Sequence, residues 1–151
     1  MTARLKGRRR EAERLLGRLT RWGEGEPTVK VVLLVGSYAR GSERLASDLD
    51  VMILSDEVDR LADSEWFPRE FHGARHLRDG DWGPVRERRY RLRSGLQVEL
   101  DFAPVSWAAV PLDTGTRRVL EDGHRVLYDP SSVSLKPSRS PLLVGAPDPL
   151  P

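Results

Sequence analysis

Four residues in the first third of the chain have the types and spacing to hold a phosphorylated ligand and a cation: Gly36, Ser37, Asp48 and Asp50. Gly36 lets the backbone approach a ligand closely or take a positive φ. Ser37 offers a hydroxyl and a main-chain N–H where a short helix would begin, a place suited to phosphate oxygens. Asp48 and Asp50 stand two apart at the head of an apolar run, and residues two apart on a strand share a face, about 6 to 7 Å from one another. Two carboxylates side by side repel unless a cation sits between them, and Mg²⁺ is commonly held by one or two carboxylates together with substrate phosphates. Taken alone, Asp-x-Asp fits a solvated strand end equally well; its place shortly after a strand-terminating Gly-Ser favours the cation reading.

Two strands must position these groups. Val29 to Val35 is apolar except for Lys30, a β-branched run bounded by glycine that reads as a buried strand and delivers the chain to Gly36-Ser37. Ser47-Asp48-Leu49-Asp50 leads into a second apolar strand, Val51 to Leu54, with Leu49, Val51 and Ile53 on the face opposite the two aspartates.

The run Gly36-Ser37-Tyr38-Ala39-Arg40-Gly41, followed after five residues by Ser47-Asp48-Leu49-Asp50 at the head of the next strand, resembles the DNA polymerase β-type nucleotidyltransferases, in particular their small single-domain members. The resemblance is close from Val29 to Leu54 and outside that stretch is a matter of topology. It implies metal-dependent transfer of a nucleoside monophosphate from a nucleoside triphosphate, with ATP expected, to a hydroxyl-type acceptor, releasing pyrophosphate. It further implies that Asp48 and Asp50 hold two Mg²⁺ (or Mn²⁺) ions and that a later strand supplies a third carboxylate. Gly36, Ser37, Ser47 and nearby N–H groups would hold the phosphates, and Arg40 or Arg89 would offset developing charge.

The later strand lies in the unit 85–103, which reads as a β-hairpin around Arg93-Ser94-Gly95. A two-residue loop would set Arg91 opposite Val98 and Arg89 opposite Leu100. A three-residue loop ending in a left-handed glycine pairs Leu92 with Leu96 and Tyr90 with Val98, which keeps apolar groups together and is preferred. It also sets Arg91 opposite Gln97 and Arg89 opposite Glu99, on the face that carries Asp101. Asp101, between Leu100 and Phe102, ranks ahead of Glu99 as the third carboxylate; Glu99 shares its face and remains the rival.

Composition sets the outer bounds. A chain of 151 residues with 38% hydrophobic content and no cysteine is one cored domain without disulfides or thiolate metal sites, as expected of a cytoplasmic protein. No run approaches the roughly 18 apolar residues of a membrane span. The net charge is only +2, yet residues 1–21 carry eight Arg or Lys against Glu11 and Glu13. A basic segment can bind nucleic acid, but it equally forms the wet face of a helix, and Leu5, Ala12, Leu15, Leu16, Leu19 and Trp22 supply the opposing apolar stripe, with Thr2 as N-cap and Gly23 as the stop. Ser55-Asp56 is expected to cap a helix through Val58, Leu61 and Ala62 towards Trp66 that Pro68 ends or kinks. His72 and His76 have helical metal-pair spacing without an evident third ligand. A helix at Thr114–Glu121 and a strand at Arg125–Tyr128 follow, and residues 130–151 form a Pro/Ser-rich tail behind a nucleotidyltransferase domain at 1–129.

The expected fold is α/β: a mixed twisted sheet of four or five strands of the nucleotidyltransferase type, helices mainly on one face, and the metal site at the sheet's open edge. An alternative follows from the same resemblance. Small proteins with this motif also resemble antitoxins that bind a cognate toxin, with or without nucleotidylating it. A lone domain would in either case draw acceptor specificity from a protein partner or a second copy of itself, with Trp66, Phe67, Trp82 and Trp107 as contact candidates.

Overall fold

The structure, a computed structural model, describes residues 2–108 and 123–131. The expected helix at Thr114–Glu121 and all but the start of the tail lie outside them.

Helix α1 (Ala3–Gly25) opens on Thr2, whose hydroxyl accepts from the Leu5 N–H at 3.1 Å. Its stripe of Ala12, Leu15, Leu16 and Leu19 is buried, as the spacing requires. Gly23 does not stop the helix. It is buried inside it, where a Cβ would come within 3.1 Å of Val32, so the missing side chain lets α1 lie close on the sheet. Strand β1 (Val29–Val35) runs into the short helix α2 (Ser37–Arg40), and β2 (Leu49–Ser55) follows. The helix expected after Ser55 divides into α3 (Val58–Ala62) and α4 (Trp66–Glu70). Ser64 Oγ accepts from the Trp66 N–H at 3.0 Å to start α4, and Pro68 sits in its first turn, where the absent N–H has no partner to lose.

An unforeseen strand, β3 (Arg75–Trp82), precedes β4 (Val85–Arg91) and β5 (Gln97–Pro104). A 3₁₀ turn covers Val105–Ala108, and β6 (His124–Tyr128) closes the described chain. The sheet has six strands in the order β3-β4-β5-β2-β1-β6, antiparallel throughout except where β2 runs parallel to β5. The hairpin takes the three-residue loop: Arg89 faces Glu99, Tyr90 faces Val98, and the Leu92 N–H donates to Leu96 O at 2.8 Å, with Gly95 at φ 97°.

The described helices α1, α3 and α4 cover one face of the sheet, over Val32, Leu34, Leu49, Val51, Ile53, Val98, Leu100 and Phe102. The aromatic residues after α3 belong to that core. Trp66 stacks on Trp22 with ring centroids 4.4 Å apart, and Phe67 packs against Phe71 and Tyr90. The other face carries Val31, Leu33, Val35, Met52, Leu54 and Ala103. No described helix is long and apolar enough to cross a membrane.

Candidate active site

Strand alternation decides which charges meet. On β2 the face that carries Met52 and Leu54 also carries Asp50; on β5 it carries Glu99 and Asp101; on β4, Glu87 and Arg89. Register then aligns them: Asp50 stands beside Glu99 across the parallel pair, while Glu87 faces Asp101 and Arg89 faces Glu99 across the antiparallel one. The acidic group therefore lies on three of the four interior strands, β2, β5 and β4, on the face opposite the helices. This corrects the expectation of a site at the sheet's open edge. A site fed by both carboxylates of β5 needs neighbours on both sides of that strand, which an edge cannot give.

Gly36 links the two parts of the motif. Its φ of 77° and ψ of −160° belong to glycine, and a Cβ there would overlap the Asp50 carboxylate. Val35, Gly36, Arg40, Asp50, Met52, Glu99 and Asp101 together line a pocket of about 230 Å³. Ser37 begins α2 directly after Gly36, and Gly41 ends that helix at φ 73°. Ser47 does not line the pocket: its hydroxyl accepts from the Arg44 N–H at 2.8 Å and shapes the loop between α2 and β2. Helix α1 holds this loop from outside, through Arg8 Nη1 on Leu45 O at 2.9 Å and Arg9 Nε on Glu43 at 2.5 Å.

Arg89 is the cation at the centre. Its Nη1 donates to Asp48 Oδ2 at 2.5 Å, its Nη2 donates to Glu99 Oε1, and its Nε lies 3.6 Å from Glu87 Oε2. One guanidinium thus spans both parts of the motif and the hairpin. Even so the site is short of positive charge. Burial, followed by the charges of Glu99 and Asp48, pushes the Asp50 carboxyl up to about 7. Burial, followed by hydrogen bonding to Glu99 and by its charge, pushes Asp101 up to about 9. Asp101 Oδ1, Glu87 Oε2 and Arg89 Nε are buried without a hydrogen-bond partner. Orphaned carboxylate oxygens in an all-oxygen donor set suit a hard divalent cation such as Mg²⁺ or Mn²⁺.

Of the residues that the sequence singled out, Gly36, Arg40, Asp50, Glu99 and Asp101 meet at the pocket. Asp48 joins through Arg89, and Ser37 adjoins at Gly36. Asp101 and Glu99, set against each other as rivals, both line the pocket. Glu87 went unnoticed, although it is only 3% exposed and stands among the acids. The hairpin register carried the signal, since Arg89 opposite Glu99 puts Glu87 opposite Asp101. His72 and His76 do not share a helix; His76 lies on β3 and meets Asp79 at 2.5 Å.

Among known proteins, the family model described as nucleotidyltransferase domain matches residues 14–121, a span that takes in α1 from its middle onward, the Gly36–Asp50 motif and the whole hairpin. No curated protein matches the sequence.

Proposed function

The chain belongs to the nucleotidyltransferase domain family, and from that premise we propose that it transfers AMP from ATP to a hydroxyl-type acceptor with release of pyrophosphate. The observation that carries this reading is the pocket in which Asp50, Glu99 and Asp101 face Gly36 and Arg40. Carboxylates, a cation and a close-approach glycine that line one pocket suit a metal-bound triphosphate.

In this reading Asp48, Asp50 and Asp101, with Glu99 beside them, hold two Mg²⁺ ions. When bound, the metal neutralises the triphosphate and stabilises the attacking and leaving oxygens. Gly36 and Ser37 receive the phosphates through the main-chain N–H groups that open α2, while the room a Cβ would take at Gly36 holds the Asp50 carboxylate. Arg40 makes no ion pair among the described residues and is available to the phosphates. The acceptor oxygen attacks the α-phosphorus, the bond from that phosphorus to the bridging oxygen breaks, and pyrophosphate leaves. Asp101, kept ionised by the cation it would hold, would help to take the proton lost by the acceptor hydroxyl.

The distinguishing experiment supplies ATP labelled at either the α- or the γ-phosphate, with Mg²⁺ and an extract containing candidate acceptors. Label from the α-position is expected in an acceptor, and label from the γ-position only in pyrophosphate. Asp50→Asn should abolish the transfer. Transfer of the γ-label to an acceptor, or α-transfer that survives Asp50→Asn, would overturn the assignment.

A further inference from the structure

The register of β3 on β4 sets arginines against arginines. Arg75 stands opposite Arg91, and Arg78 stands opposite Arg89. Residues directly opposite share a face, here the one that carries Glu87 and the pocket acids, opposite the helices. Like charges so placed repel. Arg89 is compensated by Asp48 and Glu99. Arg78, whose side chain is 62% exposed, reaches only Glu87, at 3.6 Å. Arg75 and Arg91 are exposed and make no ion pair among the described residues. A strip of exposed arginines on the edge strand and its neighbour is complementary to a chain of negative charges.

Trp82 ends the same face of β3. It is 66% exposed, yet its Nε1 donates to Glu87 Oε1 at 2.8 Å. The indole leans back over Gly80, where a Cβ would come within 3.4 Å of that nitrogen and 3.1 Å of the Glu87 oxygen. The ring is therefore pinned beside the acids while most of its surface is left to solvent. A fixed, exposed aromatic ring next to arginines suits single-stranded nucleic acid, whose bases stack on the ring and whose phosphates meet the cations. An acidic peptide would satisfy the arginines and give the indole nothing to stack on.

The site also gives the bound strand a direction. In the transfer reading pyrophosphate leaves on the side of Gly36 and Arg40, and the attacking and leaving oxygens lie roughly in line. The acceptor hydroxyl then enters from the opposite side, across β5 and β4 towards β3. From Asp101 on β5 to β3 is two strand spacings, about 10 Å, which a sugar and its base can span. We propose that this face of β3 and β4 binds the end of a single-stranded nucleic acid, with the terminal base on Trp82 and the phosphates along Arg78, Arg75 and Arg91. That the terminal hydroxyl is the acceptor rests on the transfer reading; the binding does not.

In the test, the full-length protein without ATP is titrated into a single-stranded hexaribonucleotide whose terminal base is 2-aminopurine, a fluorescent base that stacking quenches. Quenching is expected. Trp82→Ala should weaken binding at least about tenfold while the melting temperature stays near that of the unsubstituted protein, because the indole is mostly exposed. Trp82→Phe retains a ring and should recover most of the affinity. Arg75→Ala and Arg91→Ala should each reduce the slope of log affinity against log salt by about 0.7. Polyglutamate should displace the oligonucleotide only weakly. Affinity for Mg²⁺–ATP should be the same in Trp82→Ala, which separates an acceptor base from the base of the triphosphate. Unaltered oligonucleotide affinity in Trp82→Ala, unaltered salt slopes in both arginine variants, displacement by polyglutamate at equal charge, or an equal loss of ATP affinity would overturn the proposal. No arm depends on turnover, so failure of the transfer reading would leave these results as they stand.

Discussion

At Gly36 two demands fall on one atom that is not there: a positive φ and room for the Asp50 carboxylate. Gly36→Ala should therefore cost about 1–3 kcal/mol in urea denaturation from backbone strain alone, and it should abolish label transfer because Asp50 must move. A variant of native stability would show that the approach is not needed. Asp50 and Asp101 set the behaviour with pH. Their carboxyls titrate at about 7 and about 9 in the fold, above the ordinary carboxylate value, so the protonated forms favour the folded state. The stability this gives is complete below about pH 4 and is lost as pH rises through about 7 and then about 9. Glu13, Glu26 and Asp63 are shifted downward by their arginine and threonine partners, and their titration is finished before that window opens. In a chelator, the denaturation midpoint should fall between about pH 5.5 and pH 8.5, by up to about 1.4 kcal/mol per pH unit for each titrating group. Added Mg²⁺ should flatten the fall. A midpoint that rises over the same range would contradict the assignment of both residues.

At the level of elements, α1 does two jobs. Its apolar stripe fills the core, and its basic face reaches the loop between α2 and β2. Arg9 holds Glu43, whose side chain is only 8% exposed, so Arg9→Ala should leave that carboxylate without its partner at about 1–3 kcal/mol. Arg10→Ala, on an exposed position of the same helix, should stay within about 0.5 kcal/mol. Equal effects would mean that the basic face is solvated throughout and holds nothing. The elements that were legible in the sequence are those whose burial follows a period. They are the α1 stripe, the apolar β1 and β2, and the hairpin, whose register was set by matching Tyr90 with Val98. Strand β3 escaped because it alternates charges and glycine on an exposed edge, which leaves no apolar period to read. The break between α3 and α4 and the burial of Gly23 escaped for a different reason. Each is decided by what packs against the chain, and Gly23 in isolation has the same form as a helix stop. Glu87 was within reach, but only as a corollary of the register.

For the whole molecule, a ligand bound only by the folded state raises stability by mass action, about 2.7 kcal/mol at a hundredfold excess over Kd. Mg²⁺ with a non-hydrolysable ATP analogue should accordingly raise the melting temperature by several degrees, and Asp48→Asn with Asp50→Asn should remove the shift. Persistence of the shift in the double variant would place the nucleotide elsewhere. Of the four aromatic residues considered for partner contact, Phe67 is buried and Trp66 is stacked on Trp22. Trp82 stands 66% exposed on the edge strand β3. The parallel pairing of β2 with β5 also governs timing. Asp50 leaves the ribosome well before Glu99 and Asp101, and the chain must complete α3, α4, β3 and β4 before these acids meet. Closing so long a loop is slow relative to forming a hairpin, and it comes late in assembly. Until then Asp48 and Asp50 stand in water as two ordinary carboxylates. A half-made chain therefore has no assembled site with which to engage a nucleotide, and competence arrives together with the finished sheet.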